Sequence, residues 1–396
     1  MRYQNVAMPQ GLLWSSPFTR WQGALAETSS LDLAVNVTGR ALRDRQVDAA
    51  DVDGIVLGIT IPQEGSFFGA PTVAARLGAT AVTGPMINQA CATAVACLHA
   101  AAANTMTGGG TQLVLTTDRT SNGPNIVYPA PSAPGGAPRV ENLVQRNFAH
   151  DPWAGTSMLA AGETVAAELG VTRDELDDVA ALRYEQYARA LADDRAFQRR
   201  YMVPVELPAR RGRTTLIERD EGVRPVEREA IAELGPAQPG GLHTGATQTH
   251  PADGAAGAVV TGTARARELS RGEGVVEVLA VGFARVAATH MPKAPVPAAL
   301  AALADAGLGI EQVDAITTHN PFAVNDVYFA RTMNVPLDKM NDHGCSLIWG
   351  HPQAPTGMRA LAELVETLRL RGGGIGLFTG CAAGDTAGAA VVRVND

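Results

Sequence analysis

Three residues could do covalent and proton-transfer chemistry together: Cys91, His351 and Cys381. Cys91 lies in Asn88-Gln89-Ala90-Cys91-Ala92-Thr93-Ala94, where a strand-like approach ends near Ile87 and a small-residue helix begins. A cysteine at a helix N-terminus faces the positive end of the macrodipole, which favours thiolate over thiol. Small neighbours leave room for a substrate to reach the sulfur. Cysteine among alanines also packs well as a small buried residue, and Cys97, further along the same helix, is read that way. His351, in Gly350-His351-Pro352, precedes a second helix. A histidine beside a cysteine can act as its general base; taken alone it could equally stabilise a loop. Cys381 follows a Gly-rich strand in Thr379-Gly380-Cys381-Ala382-Ala383-Gly384. Strand C-termini are where α/β crevices open, though a thiol there could also simply pack. Gly380 would let a main-chain N–H approach a ligand closely.

The elements that must position these residues come in two similar runs. The first passes from Val52-Asp53-Gly54-Ile55 through an Ala-rich helix, Ala92 to Met106, to Gly108-Gly109-Gly110 and a strand at Thr111. The second passes from Val313-Asp314-Ala315-Ile316 through a helix, Thr356 to Leu370, to Gly372-Gly373-Gly374 and a strand at Ile375. Asp53 to Gly110 is about 57 residues and Asp314 to Gly374 about 60, lengths suited to βαβ units. Cys91 precedes Gly110 by about 19 residues and His351 precedes Gly374 by about 23. An internal duplication would therefore bring Cys91 and His351 towards one pseudo-twofold axis. Between the runs, Ser121 to Pro138 reads as irregular loop, Thr164 to Arg200 as helix with Thr172 as an N-cap, and Arg210 to Val226 as a charged, exposed stretch. Asp253 to Thr261 reads as a strand returning to the first half. The expected division is 1–118, an inserted 119–239, a return at 240–264, and 265–396.

Composition narrows the class. A 46% apolar, 18% charged chain of 396 residues can bury a sizeable core. A net charge of -8 argues against nucleic acid, which needs a basic patch. No apolar run spans a bilayer, and no charged-then-apolar leader opens the chain. Four cysteines in this length make no disulfide framework and point to the reducing cytoplasm. A zinc site from His343, Cys345, His351 and Cys381 would need a spacing unlike any compact metal motif, so no metal is expected. Gly372 to Gly376 fits no phosphate-binding loop.

The motifs resemble those of thiolases, acetyl-CoA acetyltransferases and 3-ketoacyl-CoA thiolases. Asn88 to Ala94 resembles their nucleophile motif, Gly350-His351-Pro352 with Thr356-Gly357 their Gly-His-Pro motif, and Gly380 to Gly384 their C-terminal Cys-x-Gly-Gly motif. Asp220-Glu221-Gly222-Val223-Arg224-Pro225, Pro295-Val296-Pro297-Ala298 and Thr19 to Leu25 resemble further family segments, in order along almost the whole chain. The resemblance implies an α/β fold of two duplicated βαβαβαββ halves, a five-layered α-β-α-β-α core with an inserted loop domain. It implies an acyl-CoA C-acyltransferase that cleaves 3-ketoacyl-CoA with CoA or runs the reverse Claisen condensation. Cys91 would carry the acyl group, His351 would activate it, and Cys381 would move the proton at the α-carbon. The N–H groups of Cys91 and Gly380 would form an oxyanion hole. CoA enters as substrate, with no cofactor.

Departures from the pattern refine this. His319-Asn320-Pro321-Phe322 stands where many thiolases have Asn-Glu-Ala-Phe, as in the branch resembling sterol-carrier-type thiolases; His319 would donate in a second oxyanion hole. Ser157-Met158 replaces a His-Met pair, Thr249 stands for a serine near the pantetheine, and Arg224 matches an arginine near the CoA adenine. The resemblance also implies a homodimer or dimer of dimers and, for the His-motif branch, association with a small OB-fold protein. Two other readings stand beside it: a ketoacyl synthase-type condensing enzyme, against which the second thiol argues, and a non-catalytic or partner-dependent acyl-CoA-binding subunit.

Overall fold

The computed structural model describes residues 1–208, 213–224 and 226–395. The chain opens with short strands β1 (Ala7–Pro9), β2 (Leu13–Ser15) and β3 (Thr19–Arg20), then α1 (Ser30–Asp44), started by Ser29, whose side chain accepts from Leu31 N. The first half continues through β4 (Gly54–Gly58), α2 (Gly69–Arg76), β5 (Met86–Ile87), α3 (Thr93–Met106) and β6 (Gln112–Arg119). An excursion follows: β7 (Asn125–Tyr128), β8 (Arg139–Asn142), α4 (Leu143–Ala149), α5 (Met158–Leu169), α6 (Arg173–Arg195), β9 (Val205–Pro208), β10 (Thr214–Ile217) and α7 (Arg228–Ala232). The chain returns as β11 (Ala252–Val260) and α8 (Thr263–Ser270). The second half is β12 (Val275–Arg285), α9 (Pro295–Ala306), β13 (Ala315–His319), α10 (Ala323–Met333), α11 (Ser346–Trp349), α12 (Pro355–Leu370), β14 (Gly374–Ala382) and β15 (Thr386–Asn395).

Two mixed sheets result, ordered β2-β11-β6-β4-β5 and β1-β12-β15-β14-β13. In each, one long strand (β6 or β14) runs parallel to a short one (β4 or β13) and antiparallel to the strand on its other side (β11 or β15). The duplication extends to single hydrogen bonds. Asp53 Oδ2 accepts from Thr111 N at 2.7 Å, and Asp314 Oδ2 accepts from Ile375 N at 2.7 Å. Each acid is packed against a positive-φ glycine, Gly110 or Gly374, where an added Cβ would lie 2.1 or 2.6 Å from the carboxylate. Only glycine fits there, which is why a glycine run stands at the start of each strand.

Helices α3 and α12 lie between the sheets; α1 and α2 cover the outside of the first sheet, α9 and α10 the outside of the second. This is the expected five-layered α-β-α-β-α order. The central core joins Val95, Leu98 and Ala102 of α3 to Met358, Leu361 and Leu368 of α12, with Val114 and Phe378 from the sheets. Burying such an aliphatic or aromatic side chain contributes about 1.5–3 kcal/mol. α12 is buried on every face from Pro355 to Leu368, so its charges must be paired. Arg359 makes two 2.7 Å bonds to Asp220 of the excursion, and its Nε reaches Glu363 at 3.1 Å. Tyr201 donates to Glu363 at 2.6 Å, and Arg200 to Glu366 at 2.6 Å. The excursion is thereby tied to the helix that follows His351.

Two local expectations are corrected. The helix expected over Thr164–Arg200 is two helices, α5 and α6, because Gly170 adopts a left-handed φ of 61° and ends the first; Thr172 then caps the second, its side chain accepting from Glu175 N. The loop expected over Ser121–Pro138 contains β7, paired with β8; Ile126, Val127 and Tyr128 are strand formers, and the Arg139 guanidinium covers the Tyr128 ring at 4.5 Å. In the stretch Arg210–Val226, residues Arg210, Arg211, Gly212 and Pro225 lie outside the described residues. No helix among the described residues is long and apolar enough to cross a membrane.

Candidate active site

Cys91 sits on a tight turn between β5 and α3, two residues ahead of the first helical residue. Ala90 before it has φ +46°, a left-handed conformation that a non-glycine residue keeps only when held. The neighbours hold it: Ala90 N donates to Asn88 Oδ1 at 3.0 Å, Thr93 Oγ1 donates to Ala90 O at 2.6 Å, and Gln89 N donates to Thr93 Oγ1 at 2.9 Å. The polar residues around Cys91 in the sequence therefore fix the turn that presents the thiol.

His351 reaches the same point from the second half. Its main chain is held by the returning strand, with His351 N donating to His250 O at 2.9 Å. Its Nε2 lies 3.1 Å from Cys91 Sγ, and its Nδ1 lies 2.6 Å from Thr356 Oγ1. With the threonine oxygen accepting from Nδ1–H, Nε2 is left to accept the thiol proton. Gln353 Oε1, 3.3 Å from Cys91 Sγ, is a second acceptor for that proton. Burial, with the His319 ring beside it, holds the His351 imidazolium well below its usual range. Burial also pushes the Cys91 thiol up to about 11; the N–H groups of Ala383 and of Cys91 itself pull it down, and the Asp118 carboxylate pushes it up. The resting pair is thus neutral thiol and neutral imidazole. The thiolate expected from the helix terminus is disfavoured, because desolvation of the half-buried sulfur outweighs the few donors aimed at it.

His319 ends β13. Its ring stacks on that of His351 with centroids 4.1 Å apart, and its Nδ1 lies 2.8 Å from Ser346 Oγ. Its Nε2 is buried without a protein partner, and burial pushes the imidazolium down to about 3. With the Ser346 hydroxyl donating to Nδ1, the neutral imidazole carries its proton on Nε2, where it can meet a ligand oxygen. Cys381, near the end of β14, is fully buried, and Asn325 Nδ2 donates to its sulfur at 3.3 Å. In front of Cys91 and His351 is a cavity of about 720 Å³ whose wall also includes Gln353, Ala383, Met158 and Thr249; His319 and Cys381 are not part of that wall. Trp153, Phe148 and Met291 give it a mainly apolar character.

Residues 14–264 match the family described as Thiolase, N-terminal domain, and residues 273–394 match Thiolase, C-terminal domain. The chain belongs to the thiolase family. It is 28% identical over 377 residues to a 3-ketoacyl-CoA thiolase of Saccharophagus degradans, covering 91% of this chain and 90% of that one. It is 27% identical over 380 residues to an acetyl-CoA acetyltransferase of Escherichia coli, covering 94% and 95%. The fold superposes on human mitochondrial 3-ketoacyl-CoA thiolase in complex with CoA with a TM-score of 0.90 at 22% identity, over 100% of this chain and 99% of that one. The Bacillus anthracis acetyl-CoA acetyltransferase gives 0.89 at 23% identity, covering 99% of each chain. Family membership and the assembled cysteine–histidine cluster make this an acyl-CoA C-acyltransferase of thiolytic or condensing type.

The thiolase motifs meet as the sequence suggests for Cys91, His319 and His351, whose Sγ and ring nitrogens come within 4.8 Å of one another. His343 does not join them; it stacks on Phe197 and bonds Thr367. Gly380 does not supply the expected oxyanion donor. It lies inside the sheet, paired with His319 on one side and Gly388 on the other. An added Cβ there would come 2.6 Å from His319 Cβ, so the glycine lets β13 bring His319 close. The N–H that reaches Cys91 is that of Ala383, three residues on, which lines the cavity. Met158 and Thr249 are half-buried in the cavity wall, whereas Arg224 is exposed and not part of it.

Several residues were not singled out from the sequence. Gln353 reaches the thiol from a left-handed φ of +70°. Asp118 is fully buried and accepts from Thr60 N, Thr60 Oγ1, Ile61 N and Ala354 N, tying β6 to the start of α12. Burial raises its carboxyl to about 7 against these donors. Asp151 accepts from Gly384 N at 2.8 Å, docking the excursion on the turn that carries Ala383. Thr356 carried a signal, through the motif that contains it.

Proposed function

We propose that Cys91 is the nucleophile and His351 its general base in a ping-pong acyl transfer. The observation that carries this is the 3.1 Å approach of His351 Nε2 to Cys91 Sγ, with Thr356 behind the ring. In thiolysis the Cys91 proton passes to His351 as Sγ attacks the 3-keto carbon of a 3-ketoacyl-CoA. The C2–C3 bond breaks, its electron pair goes to C2 as a thioester enolate, and Cys381 gives C2 a proton. CoA thiol then attacks the Cys91 thioester; its proton restores Cys381, and the departing Cys91 sulfur recovers its proton from His351. The N–H groups of Cys91 and Ala383 hold the first oxyanion. His319 Nε2–H and His351 hold the enolate oxygen. Met158 and Thr249 flank the pantetheine, and Arg224 meets the adenine end outside the cavity. The supporting geometry is the buried, unpartnered His319 Nε2 and the N–H groups aimed at the thiol.

The test is mass spectrometry after brief exposure to an acyl-CoA. The acyl mass belongs on the peptide containing Cys91, and Cys91→Ala should neither acquire it nor turn over. An acyl group on another residue, or turnover by Cys91→Ala, overturns the assignment.

The same reading divides the chain at 1–118, 119–239, 240–264 and 265–396, supported by departure from the first sheet at the end of β6 and return at β11. It includes a homodimer or dimer of dimers. Strand β5 is a two-residue sheet edge whose Met86 is exposed and packs by Gly69, and exposed Phe67 and Phe68 immediately precede that glycine, an apolar patch suited to a second copy. A small OB-fold partner belongs to the reading through the His319 motif alone. Four free cysteines support a reducing, cytoplasmic setting.

A further inference from the structure

Asn325 stands in the first turn of α10, 3% exposed, with no place in the mechanism above. Its orientation is set by the main chain. Phe322 N donates to Asn325 Oδ1 at 3.2 Å, and Asn325 N donates to Phe322 O at 3.0 Å. A backbone N–H can only donate, so the amide oxygen must face Phe322. The amide nitrogen then faces the other way, 3.3 Å from Cys381 Sγ. An amide N–H cannot accept, so the sulfur is the acceptor of this bond, whether thiol or thiolate. A proton on Cys381 is therefore directed away from Asn325.

The surroundings make this donor significant. Two titratable groups oppose a negative charge on Cys381: Cys91, ahead of α3, and Asp385, on the turn between β14 and β15. In the resting site the imidazoles, His319 on the adjacent strand and His351, are held neutral by burial and bring no positive charge. Among the described residues, Asn325 is the side chain that favours the thiolate, together with the Cys381 N–H.

We propose that Asn325 is a positioning residue for Cys381, holding the sulfur as an acceptor so that it can take and return the α-proton. The inference rests on the acid–base role proposed above for Cys381. In the step concerned, a C–H bond at the α-carbon of an acyl-CoA breaks, its electron pair goes to the thioester enolate, and the proton forms S–H on Cys381; the reverse returns it. Asn325 gains and loses nothing; it bonds the sulfur before and after.

The test follows exchange of the α-protons of acetyl-CoA into deuterated water by NMR, as a function of pH, in the wild-type protein, Asn325→Asp and Asn325→Ala. Asn325→Asp keeps an acceptor for Phe322 N but sets a carboxylate against the sulfur. Both variants should move the midpoint of the exchange profile up by about one pH unit and slow exchange at neutral pH about tenfold, the aspartate at least as much as the alanine. Acylation of Cys91 is the internal reference, and a merely structural defect would slow it without moving the exchange midpoint. If Asn325→Asp does not fold, Asn325→Ala decides by the same midpoint. Cys381→Ala separates the two ideas: exchange surviving in it removes the role of Cys381. If Cys381→Ala loses exchange while both Asn325 variants keep the wild-type midpoint, the inference about Asn325 alone is wrong.

Discussion

His351 Nε2 meets Cys91 Sγ at 3.1 Å although 260 positions of chain separate them and each comes from a different half of the duplication. Two further bonds set that distance. Thr356 orients the imidazole, and Asp118, at the end of β6, holds Ala354 N at 2.9 Å three residues beyond His351. The pair is therefore as rigid as the seam between the halves.

Because the Cys91 thiol is pushed up to about 11, its thiolate fraction at lower pH falls with every unit. Alkylation of Cys91 by iodoacetamide should accordingly rise about tenfold per pH unit between neutrality and pH 10, with no plateau. Cys97 is fully buried and its thiol is pushed higher still, so it should label far more slowly. Peptide mapping after short labelling measures both. A plateau below pH 8 would instead reveal a preformed thiolate–imidazolium pair.

Cys381→Ala should still accept an acyl group on Cys91 but lose roughly 10²–10⁴-fold in turnover, since the α-proton has no acceptor. His319→Ala should slow the carbon–carbon step about 10²–10³-fold by removing an oxyanion donor, while Cys381 keeps its own chemistry. Acyl-enzyme mass beside steady-state rates separates the two. Near-wild-type thiolysis by Cys381→Ala would make that thiol structural.

Asp118→Asn tests the seam. The two carboxylate oxygens accept from Thr60 N, Ile61 N, Thr60 Oγ1 and Ala354 N. An amide must turn its NH2 towards donors on one side, leaving buried groups unpaired at about 1–3 kcal/mol. Urea unfolding should show that loss. An unchanged midpoint would mean that the loop at Thr60 relaxes freely.

Arg359→Met should be worse. It strands Asp220 and Glu363 in the core beside α12, and breaking a buried pair from one side costs about 3–5 kcal/mol. Adding Asp220→Asn and Glu363→Gln should recover part of the loss. No recovery in the triple variant would assign the loss to packing of the arginine on Phe18 and Trp349, whose rings it covers at 4.7 and 4.4 Å.

In solution the particle should exceed the 41.2 kDa of one chain. Light scattering at micromolar concentration checks it, and Phe67→Glu with Phe68→Glu should shift it towards monomer. A monomeric wild-type protein removes the association through β5.

What could be read in advance followed from side chains and their spacing. Asp53 and Asp314 marked the duplication because each must meet a glycine across the sheet, and similar offsets then aligned Cys91 with His351. Ala383 was missed for a physical reason: a main-chain donor leaves no mark in residue type, and Gly380 looked the better candidate because glycine suggests close approach. The close approach is real but belongs to His319. Asp118 was missed because its partners Thr60 and Ala354 lie 58 and 236 positions away. Gln353 was missed because no composition rule foretells a left-handed glutamine.

The donor from Ala383 has one more implication. Replacing side chains one at a time by alanine would return a blank at this position, which is alanine already. That survey would credit the whole catalyst to a few side chains, and only removal of the amide hydrogen itself, by proline or by an ester in the backbone, would expose the share carried by the peptide.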